Sequence, residues 1–308
     1  MKVIFWGSPQ FAVPSLETLT GSRHEVLAVI CQPDRPSGRG RRLAAPPVKD
    51  SAQKHGIPVL QPERPRGEEF VSGLAEFDPD VSVVVAYGHI LRTEILAVPR
   101  LGSVNLHASL LPAYRGAAPI QRAIAAGETS SGISVIQMDE GMDSGPLLAS
   151  LPLEIAPDES AGELAERMSR AGAKLLAETL DRLEAGTISP LPQPEEGVSY
   201  APKIERDEAR IDWSQSAAVV ANLIRAFDPS PGAFTSRAGR ILKLYRPRLE
   251  ESGGGEPGEI LEFDRAWLTV ACGSGAVSLA EVQAEGKRRM TSAEYLRGQP
   301  PETREILG

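Results

Sequence analysis

Residues 1–19 read MKVIFWGSPQFAVPSLETL, and they decide the first unit of the fold. Lys2 to Trp6 is a short apolar run that Gly7-Ser8-Pro9 brings to an end. Apolar residues then recur at helical spacing, namely Phe11, Leu16 and Leu19. The stretch therefore predicts a strand, a tight turn and a helix.

Further apolar runs extend this pattern to about residue 155. They are Val26 to Cys31, Pro79 to Ala86, Ser103 to His107, Ile133 to Met138 and Leu147 to Ile155. Nearly continuous apolar strands that alternate with helices are typical of a parallel sheet covered on both faces. We therefore predict an α/β fold whose N-terminal part is a Rossmann-like, open, mainly parallel sheet with helices on both faces.

The clearest predicted helix runs from about Ser160 to Glu184. Ser160 and Glu163 fit a capping box at its start, and Gly186 stands where a helix commonly ends. The stretch ISPLPQPEEGVSYAPKIERD follows, and its prolines and charges predict a surface linker. We place a first domain at 1–187, the linker at 188–206 and a second domain at 207–308.

After Asp207 the pattern changes to one helix and several short strands. The predicted strands are Ile241 to Tyr245, Ile260 to Phe263, Trp267 to Cys272 and Ala276 to Val282, and a short helix opened by Thr291 and Glu294 follows. Short strands at such spacing indicate a small barrel or sandwich. We predict a smaller, OB-like β-barrel.

The charge balance limits the partners of the chain. Lys plus Arg number 33 and Asp plus Glu number 41, which gives a net charge of −8. This excludes a globally basic coat, so any RNA contact must come from a local patch. No apolar run approaches the ~18 residues of a membrane span, and the apolar start is too short for a signal peptide. We expect a cytoplasmic protein.

Metal chemistry has little support in the sequence. Cys31 and Cys272 are far apart, and the four histidines occur singly. Neither a cysteine-based nor a histidine-based metal site is therefore indicated. We expect no metal.

Residues 104–124, VNLHASLLPAYRGAAPIQRAI, carry the most chemical information. Residues two apart in a strand point the same way, so Asn105 and His107 project from one face near the strand's end. An amide donor beside an imidazole could polarise a carbonyl oxygen and move a proton. The alternative is that both side chains only satisfy the backbone at the end of the strand.

A second polar segment, QMDEGMDSGP at residues 137–146, has Gly141 and Gly145 on either side of Asp143. Flanking glycines free the backbone to bring one carboxylate close to another element. A carboxylate near His107 would favour imidazolium and fix its tautomer. A solvated loop aspartate is the alternative.

The order of these motifs resembles that of the folate-dependent formyltransferases. It comprises Asn105-x-His107, Ser109-Leu110-Leu111-Pro112, Arg115 to Gln121, and then Asp143. Five further segments extend the likeness over nearly the whole chain. They are FWGSPQFAVPSL, QPDRPSGRGRRL, VVVAYGHIL, EARIDWSQSA and IRAFDPSPGAF. The sequence departs from the family's pattern at Ser8, because threonine is common after the first glycine in that family.

The resemblance is strongest to the branch of the family that acts on charged tRNA. It implies transfer of the formyl group of 10-formyltetrahydrofolate, a cosubstrate, to the α-amino group of methionyl initiator tRNA for translation initiation. By the same resemblance Asn105, His107 and Asp143 are catalytic. The folate contacts would be Ser109, Leu110, Leu111 and Pro112. We expect a monomer.

The loop from Gln32 to Pro47 concentrates positive charge on an otherwise acidic chain. Its arginines are Arg35, Arg39, Arg41 and Arg42. In the family the corresponding loop engages the tRNA acceptor arm, and mobile arginines suit phosphate. The alternative is a solvated basic loop.

Other functions stay open on the sequence alone. Within the same fold, the acceptor could be an amino sugar nucleotide or glycinamide ribonucleotide, although the purine enzyme needs neither the basic loop nor the second domain. A dinucleotide-dependent oxidoreductase is disfavoured because Gly7-Ser8-Pro9 lacks the G-x-G-x-x-G spacing. The intact Asn, His and Asp set argues against an RNA-binding protein with an inactive catalytic fold.

Overall fold

The computed structural model describes residues 1–37, 42–250, 253–263 and 267–308. The chain divides into two compact units. The first comprises Met1–Ala117, Gly132–Leu153 and Ala165–Ala201, and the second comprises Ala118–Ser131, Glu154–Leu164 and Pro202–Gly308. The linear division at residues 187 and 207 stays a prediction.

A seven-stranded sheet organises the first unit. The strands up to residue 201 are β1 (Lys2–Gly7), β2 (Glu25–Ile30), β3 (Arg35–Ser37), β4 (Arg42–Ala44), β5 (Val59–Leu60), β6 (Val81–Val85), β7 (Ser103–His107), β8 (Arg115–Gly116), β9 (Ser130–Gln137), β10 (Leu147–Glu154) and β11 (Tyr200–Ala201). The sheet order is β10-β9-β7-β6-β1-β2-β5. The pairs β1–β2, β1–β6, β2–β5 and β6–β7 are parallel, and β7–β9 is antiparallel. The predicted mainly parallel sheet is confirmed.

Two inner strands, β6 and β7, show that the middle of the sheet is covered on both faces. All five residues of each strand are buried. Successive side chains of a strand point to opposite faces, so complete burial requires packing on both. In this interior the Trp6 indole N–H donates to Ser82 Oγ at 3.1 Å.

The helices connect these strands and continue into the second unit. They are α1 (Val13–Thr20), α2 (Pro47–Lys54), α3 (Glu68–Ala75), α4 (Thr93–Leu96), α5 (Pro119–Ala125), α6 (Ala161–Glu184), α7 (Ala217–Ala226) and α8 (Ser292–Gly298), with 3₁₀ turns at Gln10–Ala12 and Arg206–Ala209. Across the described ranges, none of these helices combines the length and the apolar character that crossing a membrane requires.

The predicted capping box at the start of α6 is present. The Glu163 backbone N–H donates to Ser160 Oγ at 3.3 Å, and the Ser160 N–H donates to the Glu163 carboxylate at 3.0 Å. After the helix, Gly186 has φ +66, a backbone conformation that favours glycine. The capping residues at its start and the glycine after its end therefore predict both ends of this long helix.

An antiparallel sheet, curled into a half-barrel, forms most of the second unit. Its strands are β12 (Phe234–Arg237), β13 (Arg240–Glu250), β14 (Ile260–Phe263), β15 (Leu268–Ala271), β16 (Ala276–Ala284) and β17 (Met290–Thr291). The order is β12-β13-β16-β15-β14, and β17 pairs with β16. α7 packs against β13 and α5. The predicted small β-domain is confirmed.

Glu163 in the second unit makes stability depend on pH. Burial by itself raises the pKa of this carboxyl, but hydrogen bonds from Arg246 and Ser160 outweigh burial and lower the pKa from 4.5 to about 2. A carboxyl whose folded pKa is depressed stabilises the fold above its unfolded pKa. That contribution is lost as the pH falls from about 4.5 toward 2.

Glu163→Gln tests this charge because glutamine can still fill the capping box. The ion pair with Arg246 is half-exposed, so we expect the melting temperature at neutral pH to fall by only about 1–3 °C. The difference from the wild type should shrink at about pH 3. Thermal unfolding at both pH values measures it, and a difference that does not change with pH would contradict the assignment.

Candidate active site

Asn105 and His107 lie at the carboxyl end of β7, between β6 and β9 in the sheet. Asn105 is 9% exposed and His107 is 6% exposed. Their positions in the strand differ by two, so both side chains leave the same face. Both polar side chains therefore project from one face near the end of the strand, as the sequence predicts.

The Asp143 carboxylate joins this pair. The Asn105 amide Nδ2 donates to Asp143 Oδ1 at 3.1 Å, and the Gly116 backbone N–H donates to Asp143 Oδ2 at 2.9 Å. His107 Nδ1 lies 3.5 Å from the same Oδ2. The structure thus brings together all three residues that the sequence singles out for catalysis.

The hydrogen bonds of His107 fix its tautomer. Nε2 lies 3.0 Å from the carbonyl oxygen of Tyr114, and because a carbonyl only accepts, Nε2 carries the proton and donates it. Nδ1 faces Asp143 at a distance longer than an ordinary hydrogen bond. Nδ1 is therefore the nitrogen that can accept or transfer a proton during a reaction. When it is protonated, it can also donate a hydrogen bond to a substrate.

The loop that carries Asp143 has little freedom. Asp143 itself has φ +49, which is uncommon for a residue other than glycine. The Asp139 carboxylate accepts hydrogen bonds from the Gly141 N–H at 3.0 Å and the Ser144 hydroxyl at 2.9 Å. A Cβ at Gly145 would overlap the carbonyl oxygen of Gln137. The loop is therefore held in one conformation by its own residues and by the end of β9.

Gly145→Ala tests whether this conformation is required. The clash is with backbone, so the loop must shift and move the carboxylate two residues before it. We expect kcat for the transfer reaction proposed below to fall about 10- to 100-fold. Gly73→Ala in α3 is a matched control, because nothing lies within 4 Å of its added Cβ. Equal turnover by the two variants would show that the loop conformation is unimportant.

The segment from Ser109 to Pro112 is held by Ser134 of β9. The Ser134 hydroxyl donates to the carbonyl oxygen of Ser109 at 2.8 Å and accepts from the Leu111 N–H at 3.1 Å. Ser109 and Leu111 are buried, whereas Leu110 and Pro112 are half-buried. The surface that this segment exposes therefore belongs mainly to Leu110 and Pro112.

The sequence patterns alone do not identify the role of Ser134. The signal that could have revealed it is a serine in the middle of the apolar run from Ile133 to Met138. A fully buried hydroxyl in such a run needs hydrogen-bond partners.

The basic loop is described only in part. Arg35 is exposed on β3, which forms a hairpin with β4, and its Nη2 donates to Gln32 Oε1 at 3.1 Å. Arg39 and Arg41 lie outside the described residues, and Arg42 is described only as the first backbone position of β4. Contact between this loop and RNA stays a prediction.

The segment 191–201, inside the predicted linker, pairs with the loop that holds His107. β11 pairs in parallel with β8 through Tyr200–Arg115 and Ala201–Gly116. Ser199 Oγ accepts a hydrogen bond from the Tyr114 N–H at 2.9 Å. This part of the predicted linker is therefore integrated into the first unit.

Two family models together match most of the chain. The family model described as formyl transferase matches residues 1–180, and the one described as formyl transferase, C-terminal domain, matches residues 203–300. The chain therefore belongs to the formyl transferase family.

Within this family, the chain is similar over its whole length to methionyl-tRNA formyltransferases. The chain is 46% identical to the methionyl-tRNA formyltransferase of Magnetococcus marinus over 307 residues, which are 100% of this chain and 98% of the relative. It is 48% identical to the methionyl-tRNA formyltransferase of Aromatoleum aromaticum, over 97% of this chain and 95% of the relative. Similarity to these relatives thus includes both domains.

Solved structures share the fold at lower identity. HypX from Aquifex aeolicus in complex with tetrahydrofolic acid aligns with a TM-score of 0.69 and 20% identity, over 100% of this chain. This chain spans about half of HypX, covering 50% of its length. An N-formyltransferase from Helicobacter canadensis, in complex with folinic acid and dTDP-3-aminofucose, aligns with a TM-score of 0.68 and 19% identity, over 92% of this chain and 99% of that one.

Proposed function

We propose that this chain transfers the formyl group of 10-formyltetrahydrofolate to the α-amino group of methionine esterified to initiator tRNA. The proposal rests on the cluster of Asn105, His107 and Asp143 in this chain. It is supported by the similarity of the whole chain to methionyl-tRNA formyltransferases. An amide donor, an imidazole and a carboxylate are the groups that acyl transfer to an amine requires.

The first chemical step is attack of the neutral amine on the formyl carbon, which places negative charge on the formyl oxygen. The Asn105 amide carries two N–H bonds, and one of them donates to Asp143. The other N–H can therefore donate to the formyl oxygen. His107 protonated at Nδ1 supplies a second donor and a positive charge. A lost donor of this kind costs about 3–4 kcal/mol of transition-state stabilisation.

Asp143 serves the proton balance of the reaction. The attacking nitrogen must lose a proton, and N10 of the folate must gain one as its bond to the formyl carbon breaks. The carboxylate lies 3.5 Å from His107 Nδ1, so it can stabilise the imidazolium or pass the amine proton. Its bonds from Asn105 and Gly116 keep it oriented for either task.

In this proposal the first domain binds the folate and the acceptor arm of the tRNA, and the second domain also binds the tRNA. Residues 1–187 form the catalytic domain, 188–206 the linker and 207–308 a tRNA-binding domain, while Ser109 to Pro112 contact the folate. The phosphates of the acceptor arm meet Arg35, Arg39, Arg41 and Arg42. Local contacts of this kind suit a chain with a net charge of −8. The enzyme works without a metal, as a monomer in the cytoplasm.

An acceptor comparison tests the proposal. Purified protein with 10-formyltetrahydrofolate is offered methionyl initiator tRNA, a nucleotide-linked amino sugar or glycinamide ribonucleotide, and the formylated products are identified by mass spectrometry. We expect turnover on the tRNA alone. Turnover on the amino sugar nucleotide without turnover on tRNA would assign the chain to the alternative acceptor.

A further inference from the structure

The side chain of Gln193 bonds to both loops of the active site. Its amide nitrogen Nε2 donates to the carbonyl oxygens of Asp143 and Gly145, both at 2.7 Å. Its oxygen Oε1 accepts from Arg115 Nη2 at 2.6 Å and Nε at 3.2 Å. One half-buried side chain therefore connects the loop that carries Asp143 with the loop that follows β7.

Both connected points are next to the catalytic contacts. Arg115 lies between Tyr114, whose carbonyl oxygen holds His107, and Gly116, whose N–H holds the Asp143 carboxylate. Gln193 binds the backbone of Asp143 itself. A displacement of this side chain would therefore reach both partners of the His107–Asp143 pair.

The backbone on either side of Gln193 is anchored independently. Leu191 exchanges two hydrogen bonds with Leu147, at 2.7 and 2.9 Å. The carbonyl oxygen of Ser199 accepts from the Arg115 N–H at 2.9 Å. Removal of the Gln193 side chain therefore leaves segment 191–201 attached and isolates the effect of its amide.

We propose that Gln193 is a positioning residue that holds the Asp143 carboxylate in register with His107 and Asn105. A primary amide is required because the site presents two acceptors and one cation: the carbonyl oxygens need N–H donors, and the guanidinium needs an acceptor. Glutamate cannot donate when ionised, and alanine offers neither function. The effect on catalysis rests on the proposed formyl transfer, but the effect on the loop does not.

The structural half of the proposal is tested by amide hydrogen exchange in Gln193→Ala. Without the side chain, peptides covering 111–117 and 138–146 should exchange at least about threefold faster than in the wild type. Exchange in α7 and β13 should not change. Glu195→Ala, an exposed position in the same segment, is the control and should show the wild-type pattern. Unchanged exchange in both peptides would overturn the positioning role, whatever the protein's substrate.

The catalytic half is tested with the full chain and methionyl initiator tRNA. Gln193→Ala should lower kcat about 10- to 100-fold and leave the KM for each substrate within about threefold. In the Asp143→Ala background the same substitution should lower kcat less than about twofold, because the group it positions is already absent. Equal losses in the two backgrounds would show that Gln193 does not act through Asp143.

Gln193→Glu gives a signature that general loss of stability would not. At about pH 8 the ionised side chain should be as defective as alanine, since a carboxylate faces two carbonyl oxygens. The glutamate keeps the acceptor for Arg115, but with an ordinary pKa of about 4.3 it stays ionised near neutral pH and supplies neither donor to the carbonyl oxygens. Wild-type kcat in Gln193→Glu at about pH 8 would count against the proposal. Wild-type protein without any turnover would instead contradict the proposed function.

Discussion

Replacing His107 with alanine should lower kcat for formyl transfer at least about 100-fold while the protein stays folded. Asn105→Ala and Asp143→Ala should have effects of the same order. The reason is that the three side chains form one hydrogen-bonded and charged cluster at the end of β7, with His107 Nδ1 3.5 Å from Asp143 and the Asn105 amide 3.1 Å from the same carboxylate.

The measurement is steady-state formylation of methionyl initiator tRNA, with thermal unfolding to confirm the fold. His55→Ala is a matched control, because His55 is an exposed histidine just after α2 in the same unit. Because residues that act as a unit are not additive, the triple variant should be little slower than the worst single one. Near-normal turnover by folded His107→Ala would refute the proposed chemistry.

Substituting Arg39, Arg41 and Arg42 together by alanine should strongly reduce kcat/KM for tRNA and leave folate affinity unchanged. The chain carries a net charge of −8, so attraction to RNA must come from a concentrated site, and four arginines fall within residues 35–42. Some of the loss should appear in kcat, because binding energy from a remote part of the substrate positions the reacting amine.

Salt dependence distinguishes phosphate contact from a change in overall charge. Each lost contact should flatten the dependence of log affinity on log salt concentration by up to about one unit. A control variant with Arg64, Arg170 and Arg182 replaced by alanine has the same net charge, and these exposed arginines are spread over the first unit. If both triple variants show the same slope and the same kinetics as the wild type, the basic loop does not bind the tRNA.

Patterns within one element predicted much of the fold and the center of the site. The period of two in β7 placed Asn105 and His107 on one face, and the predicted bounds Ser103 to His107 are the observed ones. The flanking glycines indicated that Asp143 could approach another element, and its carboxylate does lie beside both residues. The direction of the two side chains and the freedom of the loop are properties of single segments, which a sequence displays directly.

Contacts between distant segments were not predictable in this way. Gln193 lies 50 residues from Asp143 and 78 from Arg115, and its proline-rich surroundings are typical of an exposed linker. The hairpin of β3 and β4 was missed because its strands have only three residues each, between prolines and glycines. Short elements carry too few residues to show a period, and tertiary pairing decides their conformation.

The most direct test is a single-turnover experiment, with enzyme and 10-formyltetrahydrofolate in excess over methionyl initiator tRNA. We expect wild-type protein to convert the bound tRNA to its formylated form. We expect Asn105→Ala and Asp143→Ala proteins, which bind the same tRNA, to form product at least about 100-fold more slowly. Absence of product with wild-type protein, or equal rates for all three proteins, would contradict the claim that this cluster catalyses formyl transfer to methionyl-tRNA.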